Sequence, residues 1–280
     1  MRLVLAGVFL LCGIGCSASE WASKLSNDPG DHGAFVGGRG LVTSEGPAGL
    51  FINPTSGTAP KGTFTAQTCV AIFNKGLAAG GPPDVDGTFV GNKTILTYAI
   101  EDWLEVGATS LDIQNDRGDP SIGPHVRARL LKEEEGSLRP EVGVGYYSYE
   151  TQSSAVNPPL ADRRVLFLAV SKDIPLPNRA EEKKFVQSAR VHAGVRETWR
   201  ENAGDATDFV GYWGAEVGLP YHTYFIAELQ TDESTNPRTP FAFGVQVRHP
   251  AGVAFTVGGM QPGFSNDIGL YVGIGIGFSW

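Results

Sequence analysis

The sequence predicts an all-β protein: one antiparallel transmembrane β-barrel of about twelve strands, preceded by an export signal and a short irregular segment. Three observations carry this: strict alternation at the C-terminus, a division of the chain from Gly62 onward into alternating runs, and a composition rich in glycine but poor in charge. In the last stretch Ile268, Leu270, Val272, Ile274, Ile276, Phe278 and Trp280 alternate with Gly269, Tyr271, Gly273, Gly275, Gly277 and Ser279. Successive side chains of a strand point to opposite faces, so this strand is greasy on one side and small or polar on the other. Bacterial outer-membrane barrels often end in such a strand with a terminal aromatic. A wall between lipid and a filled interior asks for this pattern, and closing it into a ring removes the unpaired edge. The rival is a soluble periplasmic β-sandwich lipoprotein, because sandwiches share the alternation.

Residues 1–18 read as a signal peptide: Arg2 is the basic end, Leu3 to Gly15 the apolar core, and Cys16, Ser17 and Ala18 the small residues before cleavage. Thirteen apolar residues are too few to span a bilayer as a helix. The alternative is lipidation at Cys16, since Ile14-Gly15-Cys16 is similar to the end of a lipobox, with Gly13 where Leu is preferred. Residues 19–61 form an irregular segment rich in Gly, Ser and Pro. Three placements stay open for it: a periplasmic tail, a plug, or a segment tucked into the lumen.

The barrel occupies residues 62–280. Strands are predicted near 63–74, 93–101, 102–113, 124–133, 138–149, 163–173, 187–199, 208–219, 221–231, 240–249, 252–261 and 268–280. Runs of about ten residues match a tilted membrane strand. Connection lengths agree: with both ends in the periplasm, loops should alternate long and short. The inner ones at Glu101-Asp102, Glu134–Ser137, Pro220 and Pro250-Ala251 are short. Ile174–Val186 is the exception, long, charged and read as a candidate short helix.

Glycine is 37 of 280 residues and charged residues are 19%, which suits small side chains around a crowded lumen and aromatics toward lipid. A net charge of −8 argues against nucleic acid as a partner. Cys69 is the one cysteine outside the signal region, so it reads as a small residue on a strand face. Trp103, Tyr146, Trp199, Trp213, Tyr224 and Trp280 read as wall and interfacial aromatics.

Under this register Glu105, Arg127, Arg129, Glu141, Arg190, His192, Arg196, Glu216, Glu228, Gln246 and Arg248 line the lumen. A charge facing lipid at the midplane would cost about 2–4 kcal/mol, so charges at depth must turn inward. Two readings follow: a mutually neutralising ladder that closes the barrel, or a polar path that binds or passes a hydrophilic solute such as a saccharide. Catalysis is disfavoured. Ser171 lies on the preceding strand, so a Ser–His pair is conceivable, but His192 faces the lumen and a third, orienting group is not evident. The Asp112, Asn115, Asp116, Asp119 cluster lacks the glycine of a calcium loop and reads as a solvated turn. No metal or cofactor is predicted.

The segment Gly49-Leu50-Phe51-Ile52-Asn53-Pro54-Thr55-Ser56, followed by Pro60-Lys61-Gly62-Thr63-Phe64, resembles the opening of the YjbH-like outer-membrane barrel family. The likeness continues in order through Asp102–Gly107, Arg127–Leu131, Arg139–Gly145, Ala169–Asp173, Val191–Gly194 and Gly214–Glu216. The chain departs in its brevity and in Ser56, where the family has Ala. The resemblance implies an outer-membrane barrel in envelope or exopolysaccharide biology and supplies no reaction. Gly49, Leu50, Asn53, Pro54 and Thr55 then mark either a constriction at the barrel mouth or a turn into the first strand. The implied partners are outer-membrane lipid, the barrel-assembly machinery, and polysaccharide or periplasmic export components; the alternative function is a porin-like channel for small solutes.

Phe278 and Trp280 are read as the assembly signal on the closing strand. Deleting Gly277 to Trp280 is expected to abolish membrane insertion and lead to periplasmic degradation, measured by fractionation. Normal insertion of the truncated chain would show that this strand does not close the ring.

Overall fold

The computed structural model describes residues 35, 39–44, 47–74, 88–114, 121–134, 136–149, 163–176, 185–200, 206–233, 238–263 and 268–279. The signal peptide with Cys16, residues 115–119 of the acidic turn, the candidate helix at 177–184 and Trp280 lie outside these residues.

Twelve strands run β1 (Thr63–Asn74), β2 (Thr88–Glu101), β3 (Leu104–Gln114), β4 (Ser121–Leu131), β5 (Glu141–Tyr149) and β6 (Arg163–Asp173). They continue as β7 (Ser188–Arg200), β8 (Ala206–Leu219), β9 (Thr223–Gln230), β10 (Phe241–His249), β11 (Val253–Gln261) and β12 (Gly269–Ser279). Each pairs antiparallel with its sequence neighbours, and β1 pairs with β12 from Thr63↔Ser279 to Ile72↔Leu270, so the sheet is a closed barrel. Closure rules out the sandwich. Among the described residues no helix is long and apolar enough to cross a membrane, and the strands do the spanning.

The boundaries depart from the sequence reading where turn-forming residues are held by a ladder. β2 begins at Thr88 because Gly91 and Asn92 still pair with Ala71 and Val70 of β1. β4 takes in Pro124, opposite Ala108 of β3, while its ladder to β5 starts only at His125. A proline lacks the donor for a full central position and is tolerated where one ladder is absent. β5 starts after Pro140 rather than at Leu138. β8 and β9 are joined through Tyr221 and His222 at φ 64° and 56°, a left-handed pair that side chains with a Cβ adopt at some cost.

Alternation sorts the two faces. Leu96, Ile122, Leu130, Leu166, Phe209 and Ile274 are exposed on the outside. A belt of this size is untenable in water and natural against acyl chains. The opposite face is buried and carries Thr, Gln, Glu, Arg, His and Tyr. One aromatic departs from its expected place: Tyr224 shares the inward face with Ile226 and Glu228, and its ring lies 4.5 Å from the Arg248 guanidinium. It packs beside the interior apolar cluster, not on the outer wall.

The interior is filled by the chain itself. Phe35, Arg39, Leu41–Thr43 and Ala48–Ala59 are buried inside the ring. Of the three placements open from sequence, the described part of this segment lies in the lumen, and it is called the plug below. Its one regular feature is a pair of bridges, Leu41↔Gly49 and Gly49↔Pro54. A Cβ at Gly49 would stand 2.3 Å from Asn53 O, so the double turn needs glycine there. On the wall, a Cβ at Gly143 would meet plug backbone first, 2.6 Å from Ser56 O. Gly143→Val is therefore expected to leave the barrel assembled but drive the plug off its seat. Labelling of a Ser56→Cys reporter by an impermeant thiol reagent should then rise over its rate in the parent, and an unchanged rate would show that the plug yields without leaving.

Candidate functional site

An enclosed segment without a helix or sheet of its own leaves its N–H and C=O groups to be satisfied by side chains of the wall. Several of the inward polar residues do this. Val42 N donates to Gln67 Oε1 at 2.7 Å, and Val42 O accepts from the Tyr271 hydroxyl at 2.5 Å. Thr43 O accepts from Lys93 Nζ at 2.9 Å, and Ala48 O from Arg127 Nη1 at 3.1 Å. Leu50 O accepts from Gln246 Nε2 and Pro54 O from the Tyr212 hydroxyl, each at 2.9 Å. Ala59 N donates to Glu105 Oε1 at 2.5 Å. The most concentrated contact is Glu228, whose carboxylate accepts from Phe51 N at 2.6 Å, from Ile52 N, and from Asn53 N at 3.2 Å.

Among the described residues the buried ion pairs fall into four groups. In the first, Glu105 lies between Arg39 of the plug (2.8 Å) and Arg127 of β4 (2.6 Å), all three almost fully buried. In the second, Arg190 reaches Glu141 at 3.2 Å, Asp173 at 2.8 Å and Glu133 at 3.0 Å, while Arg129 stands 3.6 Å from Glu141. Glu133 lies at the β4–β5 turn. Partial burial pushes its carboxyl up, but the Lys172 hydrogen bond, the Asp173 N–H and Arg190 outweigh that and hold it below its ordinary value. In the third, Arg248 pairs with Glu216 at 2.6 Å. In a fourth, Arg196 pairs with Glu233 and donates to Asn53 Oδ1 at 3.0 Å.

Ser56 links the plug to a further chain of bonds. Its hydroxyl is 2.7 Å from Glu141 Oε1 and 2.5 Å from Ser171 Oγ, which is 2.8 Å from His192 Nδ1. The other ring nitrogen, Nε2, has no hydrogen-bond partner and stands 3.8 Å from Glu216 Oε1. Ser171 and His192, which adjacency of strands made a conceivable pair, are thus in contact, and Glu216 is a third group that sequence spacing does not reveal. With Ser56 seated on Ser171 and both Ser171 and His192 buried, a substrate has no access while the plug is in place.

The lumen is uneven in polarity. Charges concentrate toward β3–β8, whereas Leu50, Phe51 and Ile52 pack on Cys69, Ile95, Ile226, Ala242, Met260 and Tyr271. The Phe51 and Tyr271 rings meet edge-on at 5.5 Å. Lys93 spans the two regions, its ammonium 5.1 Å from the Tyr149 ring.

Each of the eleven residues expected at the lumen is therefore turned toward the interior, and Gly49, Leu50, Asn53, Pro54 and Thr55 are part of the plug, not a mouth. Thr55 Oγ1 donates to Arg39 O at 3.1 Å. Phe278 packs against Phe64 across the β1–β12 seam, ring centres 5.4 Å apart. Sequence reasoning passes over Arg39, Ser56, Gln67, Lys93, Tyr212 and Tyr271. The wall residues among them sit at inward positions of the same alternation, a signal that following only arginine, glutamate and histidine leaves unused.

Removing Glu105 would leave two buried guanidinium groups without their carboxylate. Glu105→Ala is expected to destabilise the folded barrel by about 3–5 kcal/mol, as for breaking one partner out of a buried ionic group. Urea unfolding of the lipid-reconstituted protein, followed by tryptophan fluorescence, measures it; a loss under about 1 kcal/mol, the range of an exposed pair, would contradict the buried arrangement.

The closed ladder, the apolar exterior and the packed polar interior make this an outer-membrane β-barrel. The chain matches no family model and no curated protein. Among solved structures it overlaps an outer-membrane channel from Pseudomonas putida F1 at 13% identity and TM-score 0.49, covering 81% of this chain and 100% of that one. It overlaps the NanC porin at 12% identity and TM-score 0.45, covering 76% and 100% of the two chains. The translocator domain of the autotransporter NalP from Neisseria meningitidis follows at 12% identity and TM-score 0.39, covering 78% and 87%. The membrane assignment rests on the molecule's own two faces, not on these overlaps.

Proposed function

We propose that the protein is a non-enzymatic outer-membrane barrel serving envelope or exopolysaccharide biology, with its lumen closed at rest by its own N-terminal segment. The observation that carries this is the plug itself: the described residues between 39 and 59 are bonded to β1–β10 from inside, and β12 adds the Tyr271 bond. A lumen filled to this degree does not behave as a wide, passive pore. The YjbH-like motif supports the exopolysaccharide setting, since Gly49–Ser56, which carries the likeness, is the stretch that contacts the wall most densely. On this reading the short-turn end, where Lys61 bonds Glu101 and Asp102 as the plug leads into β1, faces the periplasm and any export partner.

A porin-like channel for small solutes is the second reading. It is favoured by the character of the plug contacts, which are hydrogen bonds and ion pairs that water can replace once the segment moves. Planar-bilayer conductance separates the two. Wild-type protein at neutral pH should be silent, and a chain lacking residues 39–60 should show stable channels. Large open channels in the wild type would overturn the closed-lumen reading, and a silent deletion variant that still migrates as a folded barrel would overturn the channel reading.

A further inference from the structure

At the end of the barrel that carries the short turns, the ion group around Arg190 runs from solvent into the lumen. The Asp173 side chain at the rim is 63% exposed, that of Arg190 behind it 10%, and His192 and Glu216 further in are buried. The ladders gather these residues. Between β6 and β7, Asp173 stands opposite Arg190 and Ser171 opposite His192; between β7 and β8, Glu216 stands opposite Arg190. Two polar atoms here are left over. Arg190 commits its Nη groups to Glu133, Asp173 and Glu141, but its buried Nε has no hydrogen-bond partner. His192 Nε2 has none either, and Glu216 Oε1 at 3.8 Å is beyond hydrogen-bond reach. Buried polar atoms are bonded in nearly all folded proteins. Two left over on one strand face, two residues apart, mark a place that a ligand's polar atoms fit.

We propose that Arg190, His192 and Glu216 form a subsite for a neutral polyhydroxylated ligand, a sugar or polyol, entered from the short-turn end. This rests on the plugged-barrel reading above, in which the seated plug holds one side of the subsite through Ser56. A hydroxyl is the group that fits. It accepts from the Arg190 N–H, donates to the Glu216 carboxylate, and can do either toward the imidazole nitrogen, whichever tautomer His192 holds. The charges favour a neutral ligand. Arg129, Lys172 and Arg190 are matched by Glu133, Glu141 and Asp173, and Glu216 is matched by Arg248. An anion would have to displace a carboxylate already held, and a cation a guanidinium. Neighbouring hydroxyls of the same ligand reach outward to Glu133 and Asp173 at the rim. The plug keeps the inner partners in place: Glu141 Oε1 accepts from both Ser56 and Arg190, and Ser171 Oγ touches both Ser56 and His192.

The test is saturation-transfer NMR on the folded wild-type barrel in a detergent that carries no sugar, titrated with maltotriose, cellotriose and mannitol. Inorganic phosphate is titrated separately and followed by phosphorus line broadening. Saturable binding of at least one trisaccharide is expected, and none of phosphate. Mannitol binding as well would assign the subsite to any run of adjacent hydroxyls, and its absence to a sugar ring; both support the proposal. Arg190→Lys keeps the positive charge among the carboxylates but has no Nε–H, and His192→Phe keeps a ring but loses Nε2. Each should weaken binding about tenfold or more, as expected for one lost hydrogen bond that leaves a buried partner unpaired. Gln246→Ala, which removes a plug contact on β10, should bind as the wild type does. Heat-modifiable migration checks that each variant is folded, and should His192→Phe fail to assemble, Arg190→Lys decides. No saturable binding by any of the three polyhydroxylated probes would show that these groups hold water only and would overturn the subsite. Phosphate binding in their stead, or sugar binding undiminished in Arg190→Lys, would overturn it too. Conductance keeps this failure apart from that of the plug. A silent wild type and a conducting 39–60 deletion, with no sugar bound, leave the plugged-barrel reading standing and the subsite alone falls.

Discussion

A polypeptide enclosed in a barrel without a sheet or helix of its own must find partners for every buried backbone group, and the rest of this molecule follows from that requirement. In bulk water the plug's N–H and C=O groups would cost nothing. Inside the ring, each orphan would forfeit about 1–3 kcal/mol. The wall answers with long polar side chains at inward positions, from Gln67 on β1 to Tyr271 on β12, aimed at the plug's carbonyls and amides. The lumen is therefore polar for a structural reason before any solute is considered.

The same requirement explains the uneven interior. Polar bonds fix the plug's backbone, but Leu50, Phe51 and Ile52 need somewhere dry to go, and the β9–β12 and β1–β2 side supplies it. Opposite, ion pairs do for Arg39 what apolar packing does for Phe51. A segment held by chemically different contacts on its two sides has one seated orientation. A pair such as Arg127 with Glu105, taken alone, is weak evidence for stability, since desolvation opposes attraction; its clearer effect is to place Ala48 and Ala59, which bond to the same two side chains.

Much of the wall is legible in the sequence because a strand repeats every two residues and one misplaced charge in lipid is costly. That logic places Glu105, Arg190 and Glu216 correctly on the inward face and recovers β1 and β6 to the residue. It fails where a residue's role depends on what lies across the lumen. Alternation groups Glu228 with the other acids as a partner for arginine, yet it binds three amides of a segment some 175 residues earlier in the chain. The preference of aromatics for the interface sets Tyr224 outside, and the ladder from Glu228 back through Ile226 places it within. Glycine excess points to crowding without saying by what; Gly143 faces the backbone of Ser56. Periodicity reports a face and is silent about its occupant.

The reach of these contacts along the chain sets a timetable for assembly. Leu50 is bonded to Gln246 across 196 residues, and Phe51 to Glu228 across 177. Contacts between such distant parts form slowly, because a long loop must be closed before they yield anything. The plug cannot settle until β9 and β10 stand in the wall, and it precedes β1 directly, whose pairing with β12 completes the circle. Until then the plug lacks the Glu228 and Gln246 partners of its Leu50–Asn53 stretch, so it is among the last parts of the molecule to be fully bonded.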